Sequence, residues 1–276
     1  KVGAKMMHEL ALELSRRGHD VSVITPHVNL KDNYLITDFE DITVCYFRSG
    51  SIKNVSKIQR AINETLLSYK AWNAYKGYFE ENPHDLILYY SPSIFFGSLV
   101  AKLKKLWQVP SYLILRDFFP QWAIDNGLLK DKSIITQYFR FFETLNYQAA
   151  DVIGIQSPKN LEWFKNSINT GAKLDLLYNW AEDNAVLPRE DSFRLKHGLE
   201  NKVVFFYGGN IGHAQDMMNI VRLAKNMATE KKAHFVLVGQ GDEVELVRSG
   251  IKEFNLTNVI LLPSVSQVDF KSMLAE

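Results

Sequence analysis

Met6, Met7, Leu10, Ala11 and Leu14 recur at helical spacing, and Gly18 follows the basic turn of Arg16 and Arg17, which predicts a first helix and its stop. Val21 to Thr25 is short, β-branched and closed by Pro26, the pattern of a buried strand. The alternation then repeats: strand Ile42 to Phe47, helix near Val55 to Phe79, strand Asp85 to Tyr90, helix near Ile94 to Leu106, strand Tyr112 to Leu115. A long amphipathic helix near Ser133 to Gln148 leads to strand Val152 to Ile155, a short helix opened by Ser157-Pro158, and strand Leu174 to Leu177. Strands that alternate with helices imply a parallel sheet.

The texture then changes. Asn179 to Arg189 is polar, carries Pro188 and fits a linker. Beyond it the alternation restarts with strand Val203 to Tyr207, helix Met217 to Thr229, strand Phe235 to Val238, helix Glu243 to Phe254 and strand Val259 to Leu262. The expected plan is α/β, with two Rossmann-like doubly wound domains, residues 1–183 and 184–276. The chain opens on a helix with no strand before it and stops within the helical pattern Val268 to Glu276, so both ends are expected to be cut and the second domain incomplete.

Composition narrows the function classes. The 276 residues are 46% hydrophobic and 23% charged, which suits a globular protein of about two domains. Lys plus Arg (32) nearly cancels Asp plus Glu (31), which removes the electrostatic case for a nucleic-acid partner. No apolar run approaches the roughly 20 residues that span a bilayer, and Lys1 to Lys5 does not read as a signal peptide. The single cysteine, Cys45, lies in the apolar run Ile42 to Phe47 and reads as a buried thiol in a reducing compartment. Seven histidines show no metal spacing, so no metal is expected.

Polar and glycine residues gather at the predicted carboxyl ends of strands, where open α/β sheets bind ligands. Phe205 to Tyr207 runs into Gly208-Gly209-Asn210-Ile211-Gly212-His213, and Val238 runs into Gly239-Gln240-Gly241. Each is either a tight turn or a loop whose amides approach a phosphate, and two on neighbouring strands favour a nucleotide. In the first domain the polar ends are Ser91-Pro92-Ser93, Arg116-Asp117 and Gln156-Ser157. Asp117 either accepts a proton or hydrogen-bonds a hydroxyl at a ligand, or closes a salt-bridged helix cap. The segments Lys102 to Trp107, Phe118 to Trp122 and Tyr138 to Phe142 mix aromatic residues with Lys or Arg, which fits an anionic membrane surface or an ordinary core helix.

Gly3-Ala4-Lys5, Ser91-Pro92, Arg116-Asp117-Phe118-Phe119-Pro120, Tyr178-Asn179-Trp180, Gly209-Asn210-Ile211-Gly212 and Val238-Gly239-Gln240-Gly241 follow one another in an order that resembles the GT-B-fold family 4 glycosyltransferases. The resemblance covers essentially the whole chain and is strongest to the bacterial branch that builds O-antigen, capsule or colanic-acid polysaccharides. It implies two domains facing a cleft, metal-free transfer with retention, no cofactor, and a nucleotide-sugar as substrate. Carried over by position, it implies that Gly209, Asn210, Ile211 and Gly212 offer amides to the diphosphate, with His213 adding charge. It also implies that Gly239 and Gly241 border the nucleotide, that Val265 meets the base, and that Gly3 and Lys5 approach the donor from the first domain. Asp117, oriented by Arg116, stands at the reacting sugar, and Ser91 and Ser93 on the acceptor side. Two departures stand out. The loop carries Asn210 and Ala214-Gln215 where many relatives have Arg and Lys, and the family's Glu-x7-Glu segment would fall beyond Glu276.

The implied activity is a hexosyl- or N-acetylhexosaminyl-transferase that moves a sugar from UDP to a lipid-linked oligosaccharide. It implies a cytoplasmic protein, peripheral on the inner face of the cytoplasmic membrane. Two rivals stand beside it: a GT-B-fold UDP-sugar epimerase that needs no acceptor, and a non-catalytic GT-B partner subunit.

Overall fold

The computed structural model of the chain describes residues 2–52, 55–91, 93–180 and 192–276. Pro92 and most of the expected linker lie outside the described residues. Backbone proximity divides the chain into two compact units, Lys1–Glu182 and Asp183–Glu276.

In the first unit α1 (Val2–Arg16) precedes β1 (Ser22–His27), β2 (Tyr34–Phe39) and β3 (Ile42–Arg48), in the sheet order β1-β3-β2. β1 runs parallel to β3, but β2 is antiparallel to it, which corrects the expectation of purely parallel pairing. The sequence pattern misses β2 because the strand is exposed along its whole length and so shows no burial alternation. Its turn is hidden too. Glu40 and Asp41 both take positive φ, 49° and 62°, the two-residue hairpin geometry that Asn and Gly normally mark.

The helix expected over Val55 to Phe79 is two helices, α2 (Lys57–Thr65) and α3 (Leu67–Glu81), which meet at Leu66. The chain continues through β4 (Ile87–Ser91), a 3₁₀ turn at Ile94–Phe96, α4 (Gly97–Trp107), β5 (Ser111–Leu115), α5 (Gln121–Asp125) and α6 (Ile134–Gln148). β6 (Val152–Ile155), α7 (Pro158–Ser167) and β7 (Lys173–Leu176) complete the unit. β4, β5, β6 and β7 form a parallel sheet in that order. Leu113, Ile153, Ile155, Phe79 and Phe164 fill its core. Cys45 is buried in the same core, where desolvation pushes its thiol up to about 11 against the opposing hydrogen bond with Tyr78. It is a packing residue and a poor nucleophile.

α4 packs inward. Trp107 Nε1 donates to the Phe79 carbonyl at 2.7 Å, Lys104 pairs with Asp151 at 2.7 Å, and Lys102 Nζ sits 5.0 Å from the Trp72 ring centre. The segment Lys102 to Trp107 is therefore a core helix, and its aromatic residue is not offered to a membrane.

The second unit contains α8 (Phe193–His197), β8 (Val203–Asn210), a 3₁₀ turn at His213–Gln215, α9 (Met217–Asn226), β9 (Ala233–Gln240), α10 (Val244–Glu253), β10 (Val259–Leu262) and α11 (Gln267–Ala275). Its three described strands are parallel in the order β10-β9-β8. Ile211, Met217, Phe235 and Val247 make the centre of its core. One device starts helices in both units: Ser56, Ser133, Ser157, Ser192 and Ser266 each accept a hydrogen bond from an amide in the first turn of the helix that follows. Such a cap satisfies an amide that would otherwise lack a partner and is worth about 1 kcal/mol.

Candidate functional site

β5 is buried through Leu113, Ile114 and Leu115, and the chain surfaces immediately afterwards at Arg116 and Asp117. The turn of the sheet leaves these two residues at the carboxyl edge beside the end of β6, whose next helix, α7, is capped by Ser157. A cavity of about 530 Å³ opens there, lined by Arg116, Asp117, Phe118, Gln121, Trp122, Asp125, Asn160 and Trp163. Three elements build it: the residues after β5, the short α5, and the first turns of α7. Asn160 and Trp163, three residues apart, share one face of α7.

The wall is aromatic and fixed. Phe118 packs on Trp163 at 4.9 Å and on Phe164 at 5.9 Å between ring centres, and Phe119 packs on Phe139 at 4.8 Å. Gln121 Nε2 donates to Asp125 Oδ1 at 2.7 Å, while its carbonyl oxygen accepts from Arg140 Nη2. Arg140 is held in turn by the buried Glu143 carboxylate at 2.8 Å, which also accepts from the Tyr147 hydroxyl at 3.1 Å. This chain of bonds fixes the Gln121 amide in the cavity wall.

Asp117 keeps an open side toward solvent, yet the surrounding wall desolvates its carboxyl and raises it above the ordinary aspartate range, with the charge of Arg116 pulling the other way. Arg116 acts through that field. Its Nη1 contacts the Met6 sulfur of α1, and among the described residues it makes no ion pair with Asp117. A half-desolvated carboxylate beside a cation, a wide cavity and a tryptophan face can bind an uncharged polar ring and move a proton at it. Ser91 is fully buried at the end of β4, with no hydrogen-bond partner for its hydroxyl among the described residues, so it does not line this cavity. Ser93 is spent on the 3₁₀ turn, accepting from the Phe95 amide at 3.4 Å.

The glycine-rich segments of the second unit differ from the expected turns. Gly208, Gly209 and Asn210 continue strand β8 and pair with Val238, Gly239 and Gln240 of β9. Ile211 is buried, and its amide donates to the Gln240 carbonyl at 2.9 Å, which withdraws it from the expected diphosphate contact. A Cβ on Gly239 would overlap the Gly209 carbonyl oxygen, and one on Gly241 the Ile211 carbonyl oxygen, so these two glycines let backbone lie against backbone. Gly212 is buried, and a Cβ there would stand 2.7 Å from Asp242 Oδ1. Gly209 alone is exposed with room to spare, its built Cβ 3.5 Å from the Tyr207 hydroxyl oxygen.

The expected helix directly after Gly212 is a single 3₁₀ turn, and α9 starts at Met217 behind Asp216. His213 is exposed and faces Glu243 at 3.3 Å, and Asp242 and Asp216 add further negative charge nearby in sequence. Val265 is exposed in the loop after β10. Lys5 pairs with Glu9 at 3.3 Å along α1, which also carries Gly3. Among the described residues no group of three or more His, Cys, Asp or Glu side chains gathers to hold a metal, and no helix is long and apolar enough to cross a membrane.

Sequence reasoning reached Arg116 and Asp117 but not Gln121, Asp125, Asn160 and Trp163 as cavity residues. The available signal was the position of Asn160 and Trp163 just inside a serine-capped helix at a strand's carboxyl end. It left the segment with Trp122 open between a membrane surface and a core helix, and the fold brings Trp122 to the cavity wall.

No protein-family model matches the chain. Over 142 residues it is 31% identical to the probable glycosyltransferase WbjE of Pseudomonas aeruginosa, an alignment that takes in 49% of this chain and 34% of that protein. The matched part is thus about a third of the relative's length. Among solved structures, WaaG, a glycosyltransferase involved in lipopolysaccharide biosynthesis, matches with a TM-score of 0.61 at 13% identity over 98% of this chain and 68% of that one. Anabaena Alr3699/HepE in complex with UDP and glucose matches with a TM-score of 0.56 at 16% identity over 86% of this chain and 59% of that one. At these identities the structures establish the fold: the chain has the α/β architecture with parallel sheets of GT-B glycosyltransferase structures.

Proposed function

We propose that the protein is a GT-B glycosyltransferase of the family 4 type. In this reading it moves a hexosyl or N-acetylhexosaminyl group from a UDP-sugar to a lipid-linked saccharide in surface-polysaccharide synthesis, with retention. The observation that carries the reading is the cavity after β5, where Asp117, open to solvent on one side and partly desolvated on the other, stands among Trp122, Trp163, Gln121 and Asn160. Flat aromatic faces with planar amides and carboxylates are the groups that recognise a sugar ring. The likeness to WbjE over half the chain and the shared fold with sugar-transferring proteins support it independently.

The nucleotide is assigned to the carboxyl edge of β8 and β9, where exposed Gly209 admits a close approach. UDP is chosen because the HepE structure of the same fold is a complex with UDP and glucose. Asp117 is assigned to the reacting sugar as acid-base or positioning carboxylate, with desolvation raising its pKa and the charge of Arg116 opposing that rise. Work on a lipid-linked acceptor places the protein at the inner face of the cytoplasmic membrane.

The direct test is a panel of nucleotide sugars with the full-length protein, read first as thermal stabilisation and then as transfer to saccharide acceptors. A ligand at 100 times its dissociation constant adds about 2.7 kcal/mol. Product formation that needs both donor and acceptor supports transfer. A new UDP-sugar from donor alone means an epimerase.

One observation favours a second reading, the non-catalytic subunit: the turn after β8 carries Asp216 and neither Lys nor Arg, the segment after β9 carries Asp242 and Glu243, and His213 faces Glu243 at 3.3 Å. Failure of UDP to bind the full-length protein selects that reading.

A further inference from the structure

Gln121 and Asp125 stand one helical turn apart on α5, and both line the cavity after β5. The Gln121 carboxamide lies between a cation and an anion: its carbonyl oxygen accepts from Arg140 Nη2, and its Nε2 donates to Asp125 Oδ1 at 2.7 Å. A guanidinium has only donors and a carboxylate only acceptors, so turning the amide over would set N–H against N–H and oxygen against oxygen. Charge on both sides therefore fixes which way the amide points. It leaves the second Nε2 hydrogen and Asp125 Oδ2 without a partner among the described residues.

The anchor of this arrangement lies in the core. Arg140 reaches Gln121 with Nη2 and the Glu143 carboxylate with Nη1, the latter at 2.8 Å. Glu143 is 4% exposed and accepts from the Tyr147 hydroxyl at 3.1 Å with its other oxygen. Tyr147 is buried too, and its ring meets that of Phe164 at 5.2 Å between centres. Burying a carboxylate carries a desolvation cost that its partners must offset. Here both oxygens of the buried group are engaged, and the guanidinium it holds ends on one amide of the cavity wall.

The hydroxyl is the group of a sugar that both accepts from an N–H and donates to a carboxylate. A ring or ether oxygen can do only the first. We infer that Gln121 and Asp125 read one free hydroxyl of the ring lodged in the cavity, with Arg140 and Glu143 as positioning residues that act through Gln121. This rests on the reading above that the cavity holds a sugar, and it deepens that reading to a specificity: a sugar deoxygenated or O-methylated at that position is refused, because the pair is then left unmatched.

The experiment titrates the full-length protein with the methyl glycosides of glucose, galactose and mannose and with their monodeoxy derivatives. Binding is read as a change in tryptophan fluorescence, since Trp122 and Trp163 line the same cavity. For a glycoside that binds, removal of one particular hydroxyl is expected to weaken binding about tenfold. In Gln121→Leu that penalty should vanish while the penalties at the other positions stay. Arg140→Lys gives up the fork that serves two partners and should lose most of the same penalty; added to Gln121→Leu it should change nothing further. Glu143→Gln should follow Arg140→Lys, which carries the test alone if the buried substitution prevents folding. A purely structural Arg140 would lower the melting temperature of its variant and leave the pattern of penalties intact, and that result overturns the positioning role. Equal penalties in wild type and Gln121→Leu overturn the inference and leave the sugar in the cavity. Binding of none of the glycosides removes the sugar from the cavity and overturns both.

Discussion

The carboxyl ends of β5, inside its sheet, and of β8, the outer strand of the three described ones, were both expected to meet a ligand, and they are built in opposite ways. After β5 the chain opens outward, and side chains from three elements wall a cavity. After β8 the chain closes on its neighbour, with Gly239 and Gly241 lying against the carbonyls of Gly209 and Ile211. Polar and aromatic residues at a strand end mark a place where side chains do the binding. Glycines there mark a place where backbone approaches backbone, and only an exposed one such as Gly209 is left for a ligand.

The largest expected effect is at the open end. Asp117→Asn should lower turnover by about 10²- to 10⁴-fold while UDP affinity stays that of the wild type. Burial keeps the proton on Asp117 to higher pH than on a solvated aspartate. If the residue works ionised, kcat/KM rises with pH through that raised value, and the variant loses this acidic limb. An identical limb in wild type and variant would remove Asp117 from the chemistry.

At the closed end the contrast is one of stability. Gly241→Ala must push against the Ile211 carbonyl and should destabilise the protein by about 1–3 kcal/mol, whereas Gly209→Ala has space and should melt with the wild type. Gly209→Val should then weaken UDP binding without a fall in melting temperature. Equal melting of the two alanine variants would break the comparison.

Trp122 is 45% exposed and lines the cavity. Trp122→Ala should raise the acceptor KM by about tenfold, as loss of a stacking face does, and leave the donor KM alone. A raised donor KM instead would move the cavity to the nucleotide. The smallest expected effect is that of EDTA, which should leave the rate unchanged; strict dependence on Mn²⁺ would count against metal-free transfer.

How much of this was legible follows from which interactions are local. Val152 to Ile155 and Val259 to Leu262 are strands over the residues their short apolar runs mark, the first buried from Ile153 to Ile155 and the second half-buried along its length. β2 left no such record, and its turn used Glu40 and Asp41. Gly208 to Asn210 read as a turn because glycine is a turn residue in isolation, and the close passage of β9 that requires it is fixed only by the fold. Asp117 was visible from its place after an apolar run. Asn160 and Trp163 join it across more than forty residues, a distance no spacing rule spans.

The same hairpin has a consequence for how the protein behaves in concentrated solution. β2 is the outer strand of its sheet, and Tyr34, Leu35, Ile36 and Phe39 are all more than a third exposed. An uncovered strand of that composition is a template for adding strands from other molecules. Asp38 within it, and Lys31, Asp32, Glu40 and Asp41 around it, act as gatekeepers whose charges would be stacked on their own kind in any growing array. The charges of this segment therefore protect the soluble state more than they stabilise the fold, and neutralising Asp38 should show itself as turbidity on storage long before it shows as a lower melting temperature.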